Sequence, residues 1–278
     1  MKGLPLVSIV TPSLNQGEFL ESTISSVVEQ DYPNIEYIVC DGGSTDGSVD
    51  IIRNYEDRLA YWVSENDHGQ SNAINKGWKI ATGEICAYLN SDDNLEPGAV
   101  RVAVEAFQSN PQAGIVYGNC DYINECSQKI GIYRGAQADF KRLLCNGQGP
   151  YIAQPASFFR ASLVCRVGFL DEMLQLSMDY DLFLRLARES EIVYVPSTLA
   201  SFRIHDSSKS STLKEAHIRE SSLVRARYGG RYLIKPHLQY YRYRLLCAVP
   251  KFGQTLFRRW RDSPKDYVYL QSEKIRKK

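Results

Sequence analysis

Two neighbouring carboxylates, Asp92 and Asp93, follow a short apolar run at residues 85–89. Such a run between Gly83 and Pro97 predicts a strand buried on both faces, and open α/β sheets bind ligands at the carboxyl ends of such strands. Adjacent carboxylates repel each other, so both stay ionised only beside a cation or several donors. Oxygen ligands suit Mg2+ or Mn2+ shared with a phosphate. The alternative is a polar turn in which one of the two residues caps the next helix.

Another acidic residue, Asp41, follows the predicted strand at residues 35–40 and begins a glycine-rich loop at residues 42–48. Glycines let a ligand approach the backbone closely, and an acidic side chain at a strand end can accept hydrogen bonds from ribose hydroxyls or a base. The loop has neither the GxGxxG nor the Walker A spacing. A turn in which Asp46 or Ser48 caps the next helix is the alternative.

The polar stretch after the third predicted strand contributes Asp67 and a helix start at Gln70. The free amides of a helix start can face an anion. Asn75 and Lys76, further along the same helix, are predicted to reach a diphosphate or a base. A single lysine on a helix is usually solvated, so Lys76 alone carries little weight.

Asp179 and Asp181 precede a predicted amphipathic segment at residues 182–187. If the helix begins near Tyr180, Asp179 lies at or before its cap and Asp181 lies in its first turn. The two side chains then point in different directions. The helix dipole gives Asp181 a structural role. We predict Asp179 as the catalytic base, next to a mixed loop at residues 174–178 that would close over an acceptor, with a structural cap as the alternative.

The elements that position these residues alternate along the chain. A β-branched run at residues 6–10 predicts a central strand, and Asn15 with Glu18 has the spacing of a capping box before an apolar helix face. The β-α-β-α order that follows predicts an α/β fold with a mostly parallel sheet and right-handed crossovers. Later strands are predicted at residues 154–159, 192–195 and 199–202.

The composition of the chain limits its function classes. The 278 residues suit one large α/β domain or two fused halves, and a hydrophobic content of 44% allows a sizeable core. A net charge of +1 argues against bulk nucleic-acid binding. Seven cysteines without a CxxC pair indicate reduced thiols rather than disulfides or a zinc site. With no signal-peptide pattern and no membrane-spanning apolar run, the expected location is cytoplasmic.

The charge is unevenly distributed along the chain. Residues 225–278 contain 15 Lys and Arg against 3 Asp and Glu, whereas the rest contains 18 against 29. In this tail Phe252, Phe257 and Trp260 alternate with basic side chains, as in helices that lie on anionic lipid. We predict a basic aromatic helical tail at residues 211–278 that binds the inner face of the plasma membrane. A helix packed on the body or in a dimer is the alternative.

Five short motifs occur in the chain in this order: Thr11-Pro12, the loop at residues 41–48, Asp67-x-Gly69 with residues 73–77, Asn90-Ser91-Asp92-Asp93, and residues 178–182. Together they resemble the family 2 glycosyltransferases of the GT-A fold, over about residues 5–210. The resemblance implies a mixed, mostly parallel sheet flanked by helices. It also implies transfer of a sugar from a nucleotide-diphospho-sugar to an acceptor hydroxyl, with inversion of the anomeric carbon.

The resemblance further implies roles for single residues. Asp41 and Asp67 would contact the nucleoside, and Asp92 the ribose side. Asp93 would bind Mg2+ or Mn2+ on the diphosphate, and His205 resembles a position found on the diphosphate or the metal. The remaining donor contacts are expected from Thr11, Pro12, Asn15, Gln70, Asn75 and Lys76.

The resemblance divides one domain into a nucleotide-sugar-binding half at residues 1–95 and an acceptor-binding half at residues 96–210. Asn72 and Met178 stand where the family pattern has acidic residues, which leaves the donor sugar open although a UDP-sugar is expected. The expected acceptor is a saccharide or a lipid-linked saccharide in cell-surface polysaccharide or glycolipid assembly. A non-catalytic nucleotide-sugar-binding protein and a metal-dependent nucleotidyltransferase are the alternatives. The loop at residues 11–17 lacks the basic residue usual in nucleotidyltransferases.

Overall fold

A computed structural model describes residues 3–145, 152–206, 208 and 213–230 of the chain. Within these residues the chain forms one nine-stranded sheet with helices on both faces. The strands are β1 (Val7–Ser13), β2 (Ile35–Asp41), β3 (Tyr61–Ser64), β4 (Ile85–Tyr88), β5 (Asn94–Leu95), β6 (Ala113–Ile123), β7 (Lys129–Tyr133), β8 (Ser157–Arg160) and β9 (Glu191–Arg203). The helices are α1 (Gly17–Val28), α2 (Ser48–Asn54), α3 (Gln70–Ile80), α4 (Ala99–Ser109), α5 (Phe140–Cys145), α6 (Ala161–Val167), α7 (Met178–Glu189) and α8 (Lys214–Arg227). Short 3₁₀ turns lie at Glu56–Arg58 and Gln154–Ala156.

The sheet runs in the order β3-β2-β1-β4-β8-β6-β9-β5, and β7 pairs with β6. The first four strands are parallel to one another, and β6 is parallel to β9. β8 is antiparallel to both β4 and β6, so it joins the two parallel parts of the sheet. This architecture confirms the predicted α/β class with a mixed sheet flanked by helices.

Two hydrophobic cores cover the two faces of the sheet, because successive residues of a strand point to opposite faces. Val10 and Ile38 belong to a core that includes residues of α3 and α7. Ile9 and Val39 belong to a second core that includes residues of α1 and α4. α3 packs closely on β1: a Cβ atom at Gly77 would lie 2.5 Å from Cγ1 of Val10. Packing on both faces fixes the carboxyl ends of the central strands.

Three local predictions are corrected by the structure. The two predicted late strands form the single strand β9, because pairing with β6 continues along its length through shifts in register. The segment before β8 is a 3₁₀ turn, where Pro155 has no N–H to donate to a sheet. The predicted capping box is absent: Asn15 has a left-handed φ of 51°, and the N–H of Gly17 donates to Asp46 instead.

One sheet passes through both predicted halves of the chain. β1 to β4 lie before residue 95, whereas β6 to β9 lie after it, and all belong to the same sheet. The assignment of donor and acceptor binding to these halves stays a prediction. Of the predicted tail, residues 213–230 contain α8, and residues 231–278 lie outside the described part. None of the helices in the described ranges has the length and apolar character needed to cross a membrane.

Candidate active site

The loops that follow β1 and β2 form one continuous rim at the carboxyl edge of the sheet. The parallel register places Ser13 of β1 beside Asp41 of β2. Asn15 joins the two loops, because its N–H donates to Oγ of Ser44 at 2.8 Å and its Oδ1 accepts the N–H of Thr45 at 2.9 Å. Asn15 is therefore at the predicted edge and holds the rim together.

The carboxylate of Asp41 is buried within this rim. It accepts the N–H groups of Gly43 and Ser44, at 3.0 and 2.8 Å, together with the hydroxyls of Ser44 and Ser64. Four donors on two oxygens fix the course of the glycine-rich loop. The structure thus assigns Asp41 a loop-building role, and its contact with a nucleoside stays a prediction.

Asp67 lies directly beside the glycine-rich loop. A Cβ atom at Gly42 would come within 2.7 Å of Oδ2 of Asp67, so glycine lets the carboxylate lie directly against the loop backbone. Oδ1 of Asp67 accepts the N–H of Gly69 at 2.8 Å, which shapes the entry into α3. Asp67 is half-buried, whereas Asp41 is buried. Asp67 is thus the more accessible of the two carboxylates predicted to contact the nucleoside.

Thr11 and Pro12 lie at the end of β1, and both are buried. Oγ1 of Thr11 lies 2.9 Å from the hydroxyl oxygen of Tyr37, so the threonine hydroxyl has a partner inside the protein. Both residues support the floor of the rim, and their predicted contact with a donor remains untested.

The three predicted residues of α3 point to different places. Nε2 of Gln70 donates to Oδ1 of Asn90 at 2.6 Å, so Gln70 reaches the motif that contains Asp92 and Asp93. Nζ of Lys76 lies 2.8 Å from Glu65 in a partly exposed ion pair. The Asn75 side chain instead faces the turn before α7, where it contacts Leu170.

Asn75 is the predicted donor-binding residue that the geometry favours least. Its side chain is buried, its Nδ2 donates to the carbonyl of Leu170 and to Glu172, both at 2.9 Å, and its Oδ1 accepts the N–H of Leu170 at 3.0 Å. The amide groups are used within the protein on the α7 side of α3. Asn75 therefore anchors the turn at residues 168–172, and its contact with a donor stays a prediction.

Asp92 and Asp93 have different surroundings. Oδ2 of Asp92 lies 2.9 Å from Nε2 of His205, and the Asp92 side chain keeps 20% of its surface exposed. Asp93 is completely buried, where Oδ1 accepts the backbone N–H of Arg203 at 3.0 Å and Oδ2 accepts the Asn90 amide at 3.2 Å. Burial and the charge of Asp92 raise the pKa of Asp93 well above the usual range of an aspartate.

The assignment of the cation to Asp93 stays a prediction. Both Asp93 oxygens accept hydrogen bonds inside the protein, whereas Oδ2 of the partly exposed Asp92 faces the imidazole of His205. The Asp92 carboxylate and the His205 imidazole provide oxygen and nitrogen donors that suit Mn2+. In the described ranges, no three His, Cys, Asp or Glu side chains come together as a ready metal site. A cation on Asp92 and His205 would therefore depend on oxygen ligands from a diphosphate or water.

α7 begins two residues earlier than predicted, so Asp179 and Asp181 both lie in its first turn. Asp181 is buried, its Oδ2 lies 2.8 Å from Nε of Arg185, and its Oδ1 accepts the hydroxyl of Tyr228 at 2.8 Å. Asp179 remains partly exposed and accepts the N–H of Tyr180 at 2.7 Å. The geometry thus gives Asp181 the structural role and leaves Asp179 available for chemistry.

Tyr88, the last residue of β4, is buried near the charges of both Asp179 and Asp93. Burial raises the pKa of Tyr88 well above its usual value, and the charges of Asp179 and Asp93 raise it further. Burial is also the main cause that raises the pKa of Asp179, while His217 lowers it and Glu220 raises it. A carboxyl with a raised pKa is better matched to accepting a proton near neutral pH.

Comparison with known proteins identifies the family of the chain. The family model described as "Glycosyl transferase family 2" matches residues 8–165, more than half of the chain. The chain belongs to glycosyltransferase family 2. An uncharacterized glycosyltransferase of Rickettsia typhi is 28% identical to it, over 75% of this chain and 67% of the relative. An uncharacterized glycosyltransferase of Mycobacterium tuberculosis is 32% identical, over 73% of this chain and 76% of the relative.

This family 2 glycosyltransferase shares its GT-A fold with solved structures of low sequence identity. Residues 1–349 of S. aureus TarS in complex with UDP-GlcNAc give a TM-score of 0.63 at 17% identity, over 79% of this chain and 65% of that chain. The mannosyltransferase PcManGT from Pyrobaculum calidifontis, in complex with GDP-Man and Mn2+, gives 0.63 at 19% identity, over 81% and 65%. The chain therefore spans slightly less than two thirds of either solved structure.

Arg203 contacts the Asp92 loop of this family 2 glycosyltransferase, although none of the sequence motifs contains it. It is buried, its Nε donates to the backbone carbonyl of Asp92 at 2.8 Å, and its Nη1 donates to that of Asn124 at 2.9 Å. Its guanidinium carbon lies 4.9 Å from the ring centroid of Phe19, and that ring lies 4.8 Å from the ring of His205. An arginine at the end of a mostly apolar strand indicates a buried charge. Such a charge needs hydrogen-bonding partners nearby.

Proposed function

We propose that the chain transfers a sugar from a nucleotide-diphospho-sugar to an acceptor hydroxyl, with inversion of the anomeric carbon. The observation that carries this proposal is the contact of Asp92 with His205, at 2.9 Å, in the loop that follows β4. The charge of Asp179 also acts on Tyr88, the last residue of β4, and raises its pKa. Membership of the family supports glycosyl transfer. The donors in the TarS and PcManGT structures, UDP-GlcNAc and GDP-Man, support a nucleotide-sugar donor.

Asp92 and His205 are the residues that we assign to a divalent cation. The donor set fits, because carboxylate oxygen and imidazole nitrogen both bind Mn2+ and the carboxylate also suits Mg2+. The PcManGT structure contains Mn2+, which supports a metal dependence in this fold. When bound, the cation supplies positive charge that stabilises the departing diphosphate.

Asp179 is the proposed base. Its carboxylate accepts the proton of the acceptor hydroxyl while that oxygen forms a bond to the anomeric carbon. The bond between the anomeric carbon and the donor phosphate oxygen breaks in the same step, and the nucleoside diphosphate leaves with the bonding electrons. Attack from the face opposite the leaving group inverts the anomeric configuration. Asp181 takes no part, because its carboxylate is held by Arg185 and Tyr228.

The rim built by Asp41 and Asn15 is the proposed place for the nucleoside. Asp67 is its partly exposed carboxylate, and Gln70 extends from the start of α3 toward Asn90. The positive end of the α3 dipole, at Gln70, supports an anion nearby. A UDP-sugar is our proposed donor.

The proposed acceptor is a saccharide or a lipid-linked saccharide, used in cell-surface polysaccharide or glycolipid assembly. The uneven charge of the chain supports a location against an anionic membrane, because the last 54 residues are strongly basic. We place the protein in the cytoplasm, peripheral on the inner face of the plasma membrane.

Donor hydrolysis tests the proposed function directly. Nucleotide sugars including UDP-GlcNAc and GDP-mannose are incubated with the protein and Mn2+, and release of nucleoside diphosphate is measured with and without EDTA. We expect that one donor of the panel releases nucleoside diphosphate. This release should require the cation and should be lost in Asp179→Asn. Nuclear magnetic resonance of the first sugar released reports inversion or retention.

The same assay separates the two alternatives. Formation of a nucleotide sugar from a nucleoside triphosphate and a sugar phosphate, with release of pyrophosphate, would favour a nucleotidyltransferase. Binding of UDP without any turnover across the panel would favour a non-catalytic nucleotide-sugar-binding protein.

A further inference from the structure

The segment that leads into α7 is held by a single carboxylate from α8. Oε1 of Glu220 accepts the N–H of Gln175 at 2.9 Å, and Oε2 accepts the N–H groups of Leu176 and Ser177 at 2.7 and 2.6 Å. Three consecutive backbone donors thus meet one side chain that lies more than 40 residues later in the sequence. The last of these donors is two residues before Asp179.

α7 does not use the local cap that its sequence offers. Ser177 is the N-cap residue, yet it forms no side-chain cap hydrogen bond, and its hydroxyl lies 2.8 Å from the hydroxyl of Ser221 on α8. The negative charge of Glu220 lies at the end of α7 where the helix dipole is positive. The start of α7 is therefore fixed by the neighbouring helix.

The beginning of the same segment has separate anchors. Asn75 holds Leu170 and Glu172, as described above, and Nη2 of Arg185 donates to the carbonyl of Phe169 at 2.8 Å. These contacts fix residues 168–172, whereas the backbone N–H groups of residues 175–177 donate to Glu220. Arg227 of α8 also pairs with Asp171 at 2.8 Å, so α8 contacts both ends of the segment.

We propose that Glu220 is a positioning residue for the base Asp179: its carboxylate holds residues 175–177, and with them the first turn of α7, in the place from which Asp179 meets the acceptor. The inference rests on the proposed role of Asp179. Misplacing a reacting group by about 1 Å can lower a rate by about 100-fold. The ionisable groups that act on Asp179 are His217 and Glu220 on α8, with Tyr88 on β4.

Substitutions of Glu220 in the full chain test this proposal. Glu220→Ala removes all three acceptor contacts, whereas Glu220→Gln keeps one acceptor oxygen. Glu215→Gln is the control, because it removes the same charge from an exposed position on the same helix. The readouts are Mn2+-dependent hydrolysis of the best donor of the panel, the Kd of UDP, the melting temperature and amide hydrogen exchange at residues 175–177.

We expect kcat to fall by about 10- to 100-fold in Glu220→Ala and by less in Glu220→Gln, with the donor KM and the Kd of UDP unchanged. Amide exchange at residues 175–177 should accelerate in both variants, and Glu215→Gln should behave as the unmodified protein. Because the charge of Glu220 raises the pKa of Asp179, the acid limb of kcat should move to lower pH in Glu220→Gln. A contact that only stabilises the fold would not move this limb.

An unchanged kcat and acid limb in Glu220→Ala, with faster amide exchange, would overturn the positioning role while Asp179→Asn remains inactive. Full activity of Asp179→Asn would instead overturn the assignment of the base, and the role of Glu220 with it. If Glu220→Ala fails to fold, Glu220→Gln tests the positioning role instead. Its kcat and the acid limb of its pH profile are then compared with those of the unmodified protein, after its melting temperature has shown that it is folded.

Discussion

Nε2 of His205 lies 2.9 Å from Oδ2 of Asp92, although 113 positions separate the two residues in the chain. The contact joins the end of β9 to the loop that follows β4. The ring of Phe19 covers His205 from α1, and the buried Arg203 holds the backbone carbonyl of Asp92. One partly exposed carboxylate and one imidazole are thereby placed together at the carboxyl edge of the sheet.

This contact predicts that cation binding depends on Asp92 and is largely independent of Asp93. Asp92→Asn should weaken Mn2+ binding in the presence of UDP by at least about tenfold, a loss that even outer partners of metal ligands can cause. Asp93→Asn should retain the affinity, because its carboxyl is buried and hydrogen-bonded inside the protein. Isothermal titration calorimetry measures both, and the reverse order of effects would return the metal to Asp93.

The first turn of α7 predicts opposite outcomes for its two aspartates. Asp179→Asn should lower turnover on the order of a hundredfold or more, with donor affinity nearly unchanged and no loss of melting temperature. Asp181→Asn should lower the melting temperature, because one partner of a buried ion pair is lost, at a cost of about 3–5 kcal/mol. Thermal melts and donor hydrolysis on the same samples compare them. A stable but inactive Asp181→Asn would exchange the two roles.

The environment of Asp179 predicts that activity and stability respond to pH in opposite directions. Burial raises the pKa of this carboxyl above the ordinary value of about 3.9, so the base form and the activity appear as pH rises through the raised pKa. The folded protein favours the protonated carboxyl, so this contribution to stability is complete below the unfolded pKa and is lost as pH rises through the folded pKa. Melting temperatures of the unmodified protein and Asp179→Asn, compared from acidic to neutral buffers, should diverge as pH rises. A constant difference would contradict this.

The close approach of Gly42 to Asp67 predicts a defect in donor binding. In Gly42→Ala the new Cβ atom would lie 2.7 Å from Oδ2 of Asp67, so the carboxylate has to move. We expect a raised donor KM and a small change in kcat, because the site of chemistry at Asp179 is unchanged. Gly3→Ala is the control, since a Cβ atom at Gly3 meets nothing within 4 Å. Equal KM values for the two variants would remove Asp67 from the nucleoside site.

The basic composition of the tail predicts binding to anionic lipid. The full chain should sediment with vesicles that contain phosphatidylserine and much less with phosphatidylcholine vesicles alone. A chain shortened to end at Gly230 lacks most of the basic residues after residue 225 and should stay in the supernatant with both. Equal sedimentation of the two chains would favour packing of the tail on protein instead.

Patterns over a few neighbouring residues were sufficient to predict the fold class and the edge of the sheet at which the candidate site lies. The apolar run at residues 85–89 forms β4 with its acidic motif at the end, and the early β-α-β-α order forms the parallel part of the sheet. Strand and helix formation follow from periodicity and end signals over a few residues, so neighbouring residues already contain this information. The motifs in order were likewise sufficient to indicate the family, which the family model confirms.

Only the tertiary structure decided which of two adjacent acidic residues is accessible. Asp92 and Asp93 have the same side chain and nearly the same local sequence, and their difference arises because the backbone of Arg203, 110 positions away, binds one of them. Asp181 is likewise made structural by Arg185 and Tyr228, and the start of α7 is held by Glu220 from another helix. Burial and hydrogen-bond satisfaction are set by residues that are distant in the chain. The positions of the carboxylates along the chain determined that they lie at the ends of strands and helices. Packing between distant residues determined which of them are buried and hydrogen-bonded and which remain accessible.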